Sequence, residues 1–162
     1  MMNTQSLRQE AEKYNVFPVG YVRRHSGRTV LQILPPFVPA LKELQRFSHV
    51  QVLWWFSQCQ DDLYRETTQS EHAPYEAPVL GIFACRSPVR PNPIGLTTAE
   101  ILNVDHDRGQ VEIVDIDAFD GTPVLDLKAY IPSCDRVRHV QVPHWAADWP
   151  QWLPEDGLGL EE

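Results

Sequence analysis

The densest run of residues able to do chemistry is Arg86-Ser87-Pro88-Val89-Arg90-Pro91-Asn92-Pro93-Ile94-Gly95-Leu96. Its three prolines fix φ and bias each preceding residue toward extended backbone, so the segment is stiff before any ligand arrives. Arg86, Arg90 and Asn92 are then presented at low entropic cost, which suits a preorganised anion- or nucleotide-binding loop. A polyproline-like connector whose arginines make surface ion pairs would carry the same residues, and the run alone leaves both readings open. A second segment, Asp115 to Pro132, holds Asp115, Asp117, Asp120 and Asp126 close to Lys128 and Tyr130. Within it Asp120-Gly121 is a turn signal. Beyond that turn, strand alternation places Val124, Asp126, Lys128 and Tyr130 on one face and Leu125, Leu127, Ala129 and Ile131 on the other. An acid, an amine and a phenol in line could move a proton and orient a polar substrate. An ion pair between Asp126 and Lys128 is the plainer alternative.

Other chemistries find less support. His25, His49, His72, His106, His139 and His144 are scattered, with no helical metal spacing and no cysteine beside them, so no metal site is expected. Ser87 and Ser133 lack the strand–turn–helix context of a nucleophile elbow. Cys59, Cys85 and Cys134 are odd in number and widely spaced, as in a cytoplasmic protein with reduced thiols.

The elements that must position these residues read as mainly β. A length of 162 residues, 43% hydrophobic and 22% charged, fits one globular domain. No apolar run reaches the ~18–20 residues of a membrane span, and Met1–Tyr14 is polar, without the core of a secretory signal. Strands are expected at 16–22, 29–34, 49–56, 79–85, 94–104, 111–115 and 124–131, with Arg23–Arg28 as the first turn. Gln5–Tyr14 reads as a short polar helix, 38–47 as a short amphipathic helix with Leu41, Leu44 and Phe47 inward, and 58–78 as a long loop. Without strand–helix alternation or a glycine-rich phosphate turn, the pattern predicts a small antiparallel β-barrel of about seven or eight strands rather than a doubly wound sheet. Residues 1–14 form a polar lead-in, 15–135 the barrel, and 136–162 an acidic extension whose Trp145, Trp149 and Trp152 should pack on the barrel or a second subunit.

Net charge is −8, yet five of the 22 acids lie in residues 146–162, which contain no base. Eleven of the 14 bases are Arg, a bias toward planar anion recognition. Such a chain does not coat nucleic acid; any RNA contact must use local patches, for which Arg23, Arg24, Arg28, Arg90, Arg136, Arg138 and His139 are candidates.

Three motifs together resemble the TsaA-like β-barrel family: Gly81–Pro88, Arg90–Leu96 and Asp120–Lys128. Val19-Gly20-Tyr21-Val22 and Phe47-Ser48-His49-Val50 add support, and the likeness covers about residues 16–135. The family includes S-adenosylmethionine-dependent methyltransferases acting on N6-threonylcarbamoyladenosine beside the tRNA anticodon. The resemblance therefore implies a dimeric barrel with S-adenosylmethionine near the subunit interface, held by Ser57, Gln58, Arg86, Leu96 and the turn Asp120, Gly121, Thr122 and Pro123. Leu96 would meet adenine, the backbone of the turn its polar edge, and Arg86 the methionine carboxylate or a phosphate. The urea-like acceptor nitrogen is a poor nucleophile, so a positioned base would contribute roughly 10²- to 10⁴-fold. Asp126, Lys128 and Tyr130 are the residues expected to supply it. The anticodon loop would meet Arg23, Arg24, Arg90, Asn92, Arg136 and Arg138, with Trp54, Trp55 and Tyr130 as possible stacking platforms. The sequence departs from the family in several places. No Pro-x-Gln lies between Arg23 and Pro36, Ser57 stands where His is usual, Ala129 where Pro is common, and the C-terminal domain of many bacterial members has no counterpart. Acceptors other than tRNA, such as a small metabolite or another nucleoside, and a non-catalytic cofactor-binding barrel stay open.

Overall fold

A computed structural model describes residues 12–71 and 77–152. Six strands close into an antiparallel barrel: β1 (Gly20–His25), β2 (Arg28–Ile33), β3 (His49–Trp55), β6 (Ile94–Asp105), β7 (Gln110–Ile113) and β8 (Pro123–Ala129), in the spatial order β1-β2-β7-β6-β3-β8. Two further short strands, β4 (Gln69–Ser70) and β5 (Leu80–Gly81), pair separately. Alternating side chains fill the interior: Val22, Leu31, Val50, Val52, Val111 and Val124 are fully buried, so the barrel is a packed core and not a pore. The closing seam is short, with only Gly20↔Val124 and Tyr21↔Pro123 joining β1 to β8.

Several expected elements differ in detail. The first turn contracts to Ser26-Gly27, both at positive φ (52° and 73°), the geometry that matches strand twist in a two-residue hairpin. Arg23 and Arg24 therefore lie within β1 rather than in a loop. The stretch expected as an amphipathic helix forms two 3-10 turns, Pro35–Leu41 and Leu44–Arg46. Pro39 removes a helical donor, and Glu43 breaks the chain at φ 70°. Leu41 and Leu44 still point into the core, while Phe47 is exposed. The strand expected at 79–85 shortens to β5 followed by a 3-10 turn, Ile82–Ala84, because Arg90 Nη2 draws in the carbonyls of Ile82 and Cys85 at 2.9 and 2.8 Å. The expected 58–78 loop contains the 3-10 turn Ser57–Cys59 at its start, the one-turn helix α1 (Asp62–Arg65) and β4. The expected helix at Gln5–Tyr14 lies almost wholly outside the described residues. Past β8, helix α2 (Pro132–Asp135) leads into the extension, where Trp145 and Trp149 meet edge to face at 5.4 Å and Trp152 is exposed.

A bulge sets which way β8 faces. Leu53 pairs with Asp126 and Trp54 with Val124, so Leu125 is an extra residue. Asp126, Lys128 and Tyr130 share the outer face as expected. Val124, predicted to join them, is turned into the core opposite Trp54.

Candidate functional site

The antiparallel pairing of β3 with β6 and β8 brings distant segments to one mouth of the barrel. There β3 ends at Trp55, β6 begins at Ile94 and β8 begins at Pro123. A cleft of about 420 Å³ opens at this mouth. Trp54 and Phe56, two residues apart and hence on one face, form its aromatic wall with ring centroids 4.2 Å apart. Trp54 is buried and its indole N–H donates to Thr97 Oγ1 at 3.3 Å. Gly95 makes room for that indole: a Cβ there would lie 2.3 Å from Trp54 Cε2. Leu96 adds a half-exposed apolar side chain, and Thr97 and Thr98 add hydroxyls.

The proline-rich loop supplies the cationic side. Arg86 lines the cleft and donates through Nη2 to the Leu96 carbonyl. Arg90 lines it too, its Nη2 held by Ile82 and Cys85 while its buried Nε has no partner among the described residues. Helix α1 braces the loop from outside, with Arg65 Nε donating to the Pro91 carbonyl at 2.9 Å and Nη2 reaching Asn92 Oδ1 at 3.4 Å.

Of the residues expected to hold a cofactor, Arg86 and Leu96 line this cleft; Ser57, Gln58 and Asp120–Pro123 are not among its lining residues. Ser57 and Gln58 follow directly on Phe56. The turn Asp120–Pro123 sits beside the mouth, closed by the Thr122 N–H donating to the Phe119 carbonyl at 3.2 Å, with Gly121 at φ 76°. Its Gly121 N–H donates to the Val22 carbonyl and its Thr122 carbonyl accepts from the Val22 N–H, both at 2.9 Å, tying the turn to β1. The Asp120 carboxylate accepts the Arg24 backbone N–H at 2.9 Å.

The acid–amine–phenol set lies elsewhere. Asp126 pairs opposite Leu53, Lys128 opposite Gln51, and the Tyr130 N–H donates to the His49 carbonyl, so along β3 the set runs from about 7 Å to about 20 Å away from Trp55. Lys128 Nζ and Asp126 Oδ2 pair at 2.8 Å on the open outer face. The hydrogen bond and charge of Asp126 raise the Lys128 pKa, so this amine stays protonated at neutral pH and cannot accept a proton. Tyr130 tilts against His49 at 6.2 Å. None of the three lines the cleft at the barrel mouth. Asp126 instead borders a second, largely apolar groove of about 350 Å³ between the 3-10 turns and β8, with Phe37, Leu44 and Leu127.

The candidate RNA contacts also divide. Arg23 is exposed on β1, 5.6 Å over the Tyr21 ring, and near enough to the Asp120–Pro123 turn that a Cβ on Gly121 would sit 3.9 Å from its Nη1. Arg136 and Arg138 are exposed but follow β8 off its opposite end. Arg24 is internal: with 9% of its side chain exposed, it pairs with Asp115 Oδ1 at 2.7 Å and donates to the carbonyls of Ala118 (2.8 Å) and Ile116. Arg90 and Asn92 serve the loop as described. Trp54 is cleft wall and core, and Trp55 donates to Gln60 Oε1 at 3.1 Å.

Asp117, counted in the sequence among the acids of its segment but given no role, is the one carboxylate lining the cleft among the described residues. No local signal marks it, because its place depends on Arg24 folding the Asp115–Ala118 loop over the barrel mouth. Among the described residues no helix is long and apolar enough to cross a membrane, and no group of three His, Cys, Asp or Glu could hold a metal ion.

Fold and site define a small closed antiparallel barrel with a ligand cleft at one mouth, walled by aromatic and guanidinium groups. The chain belongs to the family of tRNA-methyltransferase O N-terminal domains, whose profile matches residues 10–136. A probable S-adenosyl-L-methionine-binding protein of Methanocaldococcus jannaschii is 34% identical over 123 residues, covering 75% of this chain and 96% of that protein. The tRNA (adenine(37)-N6)-methyltransferase of Escherichia coli K12 is 32% identical over 139 residues, covering 83% of this chain and 56% of the enzyme. A TrmO crystal structure from Pseudomonas aeruginosa superposes with a TM-score of 0.63 at 32% identity, over 80% of this chain and 61% of that one. Against the E. coli enzyme, then, the chain spans just over half the length.

Proposed function

We propose that this protein is an S-adenosylmethionine-dependent methyltransferase acting on N6 of the threonylcarbamoylated adenosine beside the tRNA anticodon. One observation carries the reading. The topology gathers Trp54, Phe56, Arg86 and Leu96 around a cleft of about 420 Å³, the size range of small-ligand sites, in a chain whose relatives are named for that cofactor and that reaction. The residues fit the group: an aromatic and aliphatic wall suits adenine, and Arg86 suits a carboxylate. When bound, the cofactor supplies an electrophilic methyl group for in-line displacement by the acceptor nitrogen. The protein's part is to fix the geometry, which can supply much of the reduction in barrier. Gly95 sets the Trp54 wall, α1 and Arg90 stiffen the loop that carries Arg86, and Arg24 locks the loop leading to the Asp120–Pro123 turn.

The proposed RNA surface uses Arg23 beside the cleft, with Arg136 and Arg138 as outlying contacts. Their phosphate pairing would make binding fall steeply with salt. The protein is proposed to act in the cytoplasm as a homodimer, which the exposed side chains of Phe83, Val137 and Val140 support. A second reading, a cofactor-binding barrel without methyl transfer to tRNA, is favoured by the near full-length match to the Methanocaldococcus protein, whose name states binding only. Incubation with labelled S-adenosylmethionine and threonylcarbamoylated tRNA decides between them: label in the modified adenosine supports the methyltransferase, and tight cofactor binding without transfer to any RNA supports the second reading.

A further inference from the structure

Asp117 has the features of a placed charge. Ile116 and Ala118 on either side of it are buried, and the Ala118 N–H donates to the Ile116 carbonyl at 2.8 Å, closing a three-residue turn with Asp117 at its apex. Arg24 holds both carbonyls of that turn and the Asp115 carboxylate, which also accepts the Ile116 N–H at 2.7 Å. The backbone on both sides of Asp117 is thus fixed by the core and by a largely buried guanidinium. Its own carboxylate is exposed, lines the cleft, and has no hydrogen-bond or ion-pair partner among the described residues. Arg86 and Arg90 line the same cleft, so it presents both signs of charge to a ligand.

A cleft with guanidinium groups and a single separate carboxylate is complementary to a zwitterion. We infer that Asp117 is a binding residue for the α-ammonium group of the cofactor's methionine moiety, with Arg86 taking the α-carboxylate. This rests on the cofactor reading above and narrows it: Arg86 serves the amino acid rather than an RNA phosphate, and the nucleoside is left to Trp54, Phe56 and Leu96. The preference for an amino acid over a bare nucleoside then comes from one charge of each sign in the cleft.

Titration calorimetry on the full chain with three probes tests it. S-adenosylhomocysteine carries both charged groups, decarboxylated S-adenosylmethionine only the ammonium at that end, and 5′-methylthioadenosine neither. Asp117→Asn should weaken the first two by about tenfold, the worth of one solvent-accessible charge-assisted contact, and leave 5′-methylthioadenosine unchanged. Arg86→Gln should weaken S-adenosylhomocysteine alone. Because the Asp117 side chain has no partner to lose, thermal unfolding of Asp117→Asn should match the wild type, which separates a ligand effect from misfolding. Equal weakening of all three probes by Asp117→Asn would place the carboxylate on the nucleoside and overturn the inference. Unchanged binding with lost methyl transfer would make Asp117 a proton acceptor and overturn it too. If the wild type bound none of the probes, the cofactor reading itself would fall, and this inference with it.

Discussion

Two acidic side chains, one on the outer face of β8 and one on the loop before it, have met different fates. On the outer face of β8, Asp126 is neutralised by Lys128 at 2.8 Å, in the open, where such a pair contributes little. At the mouth where β8 begins, Asp117 shares a cleft with two guanidinium groups and pairs with neither. In sequence the first site looked more like a catalytic constellation, because alternation alone puts its residues in line. A row of complementary charges on a solvated face is its own answer, whereas a charge held in place and left unanswered is set for a ligand. The surrounding packing repeats the contrast: the cleft is walled by an indole that needs Gly95, whereas the side chains of Asp126 and Lys128 are about half exposed.

The comparison breaks most visibly at Gly95. Gly95→Val puts side-chain atoms where the Trp54 indole lies, within 2.3 Å of the added Cβ, so the aromatic wall must move. Overpacking of about 1–3 kcal/mol is expected, read as a lowered midpoint in denaturant unfolding together with loss of cofactor binding. Arg24 and Arg23 sharpen the contrast between a buried and a displayed guanidinium. Arg24→Met removes the guanidinium bonds to Asp115 and to two carbonyls and should destabilise by about 3 kcal/mol, whereas Arg23→Ala should leave unfolding unchanged and reduce the salt dependence of tRNA binding. Equal loss of stability in both would show that the division between staple and surface is mistaken.

Smaller effects are expected where charges answer each other. Lys128→Gln should cost less than about 1 kcal/mol and leave methyl transfer close to wild type. A loss of tenfold or more in turnover, with cofactor affinity kept, would return the outer face of β8 to the chemistry. The smallest effect is the pH response of the Arg28–Glu112 pair, bonded at 2.7 Å between Arg28 Nε and Glu112 Oε1. Hydrogen bonding from Arg28 holds the Glu112 pKa below its ordinary 4.5, so the unfolded state binds protons first as pH falls. Its stabilisation is full above that value and is lost as pH drops through the lowered pKa. Glu112→Gln should therefore narrow the stability gap to wild type only in acid, as read by thermal unfolding across a pH series.

Much of the barrel was legible because it rests on local rules. The apolar Val- and Trp-rich run at 49–56, the turn at Asp120-Gly121 and the proline-stiffened Arg86–Leu96 run declare themselves within a few residues. What was not legible depends on pairings across the chain. Nothing near Arg24 announces that its guanidinium will gather the Asp115–Ala118 loop, so it read as a surface base and Asp117 as one acid among four with no role of its own. The extra residue at Leu125 is visible only once β3 and β8 are in register, and it alone turns Val124 inward. The 38–47 stretch shows the same limit: its spacing placed Leu41 and Leu44 inward but not Phe47, and Pro39 and the positive φ at Glu43 decided the backbone.

A crystal structure of the protein with S-adenosylhomocysteine tests the central claim most directly, because the molecule offers two separate places for a ligand. The account predicts density at the barrel mouth, with the adenine against Trp54, Phe56 and Leu96 and the amino-acid end between Arg86 and Asp117. Density in the apolar groove bordered by Asp126 and Leu127, with the Trp54 cleft empty, would contradict it.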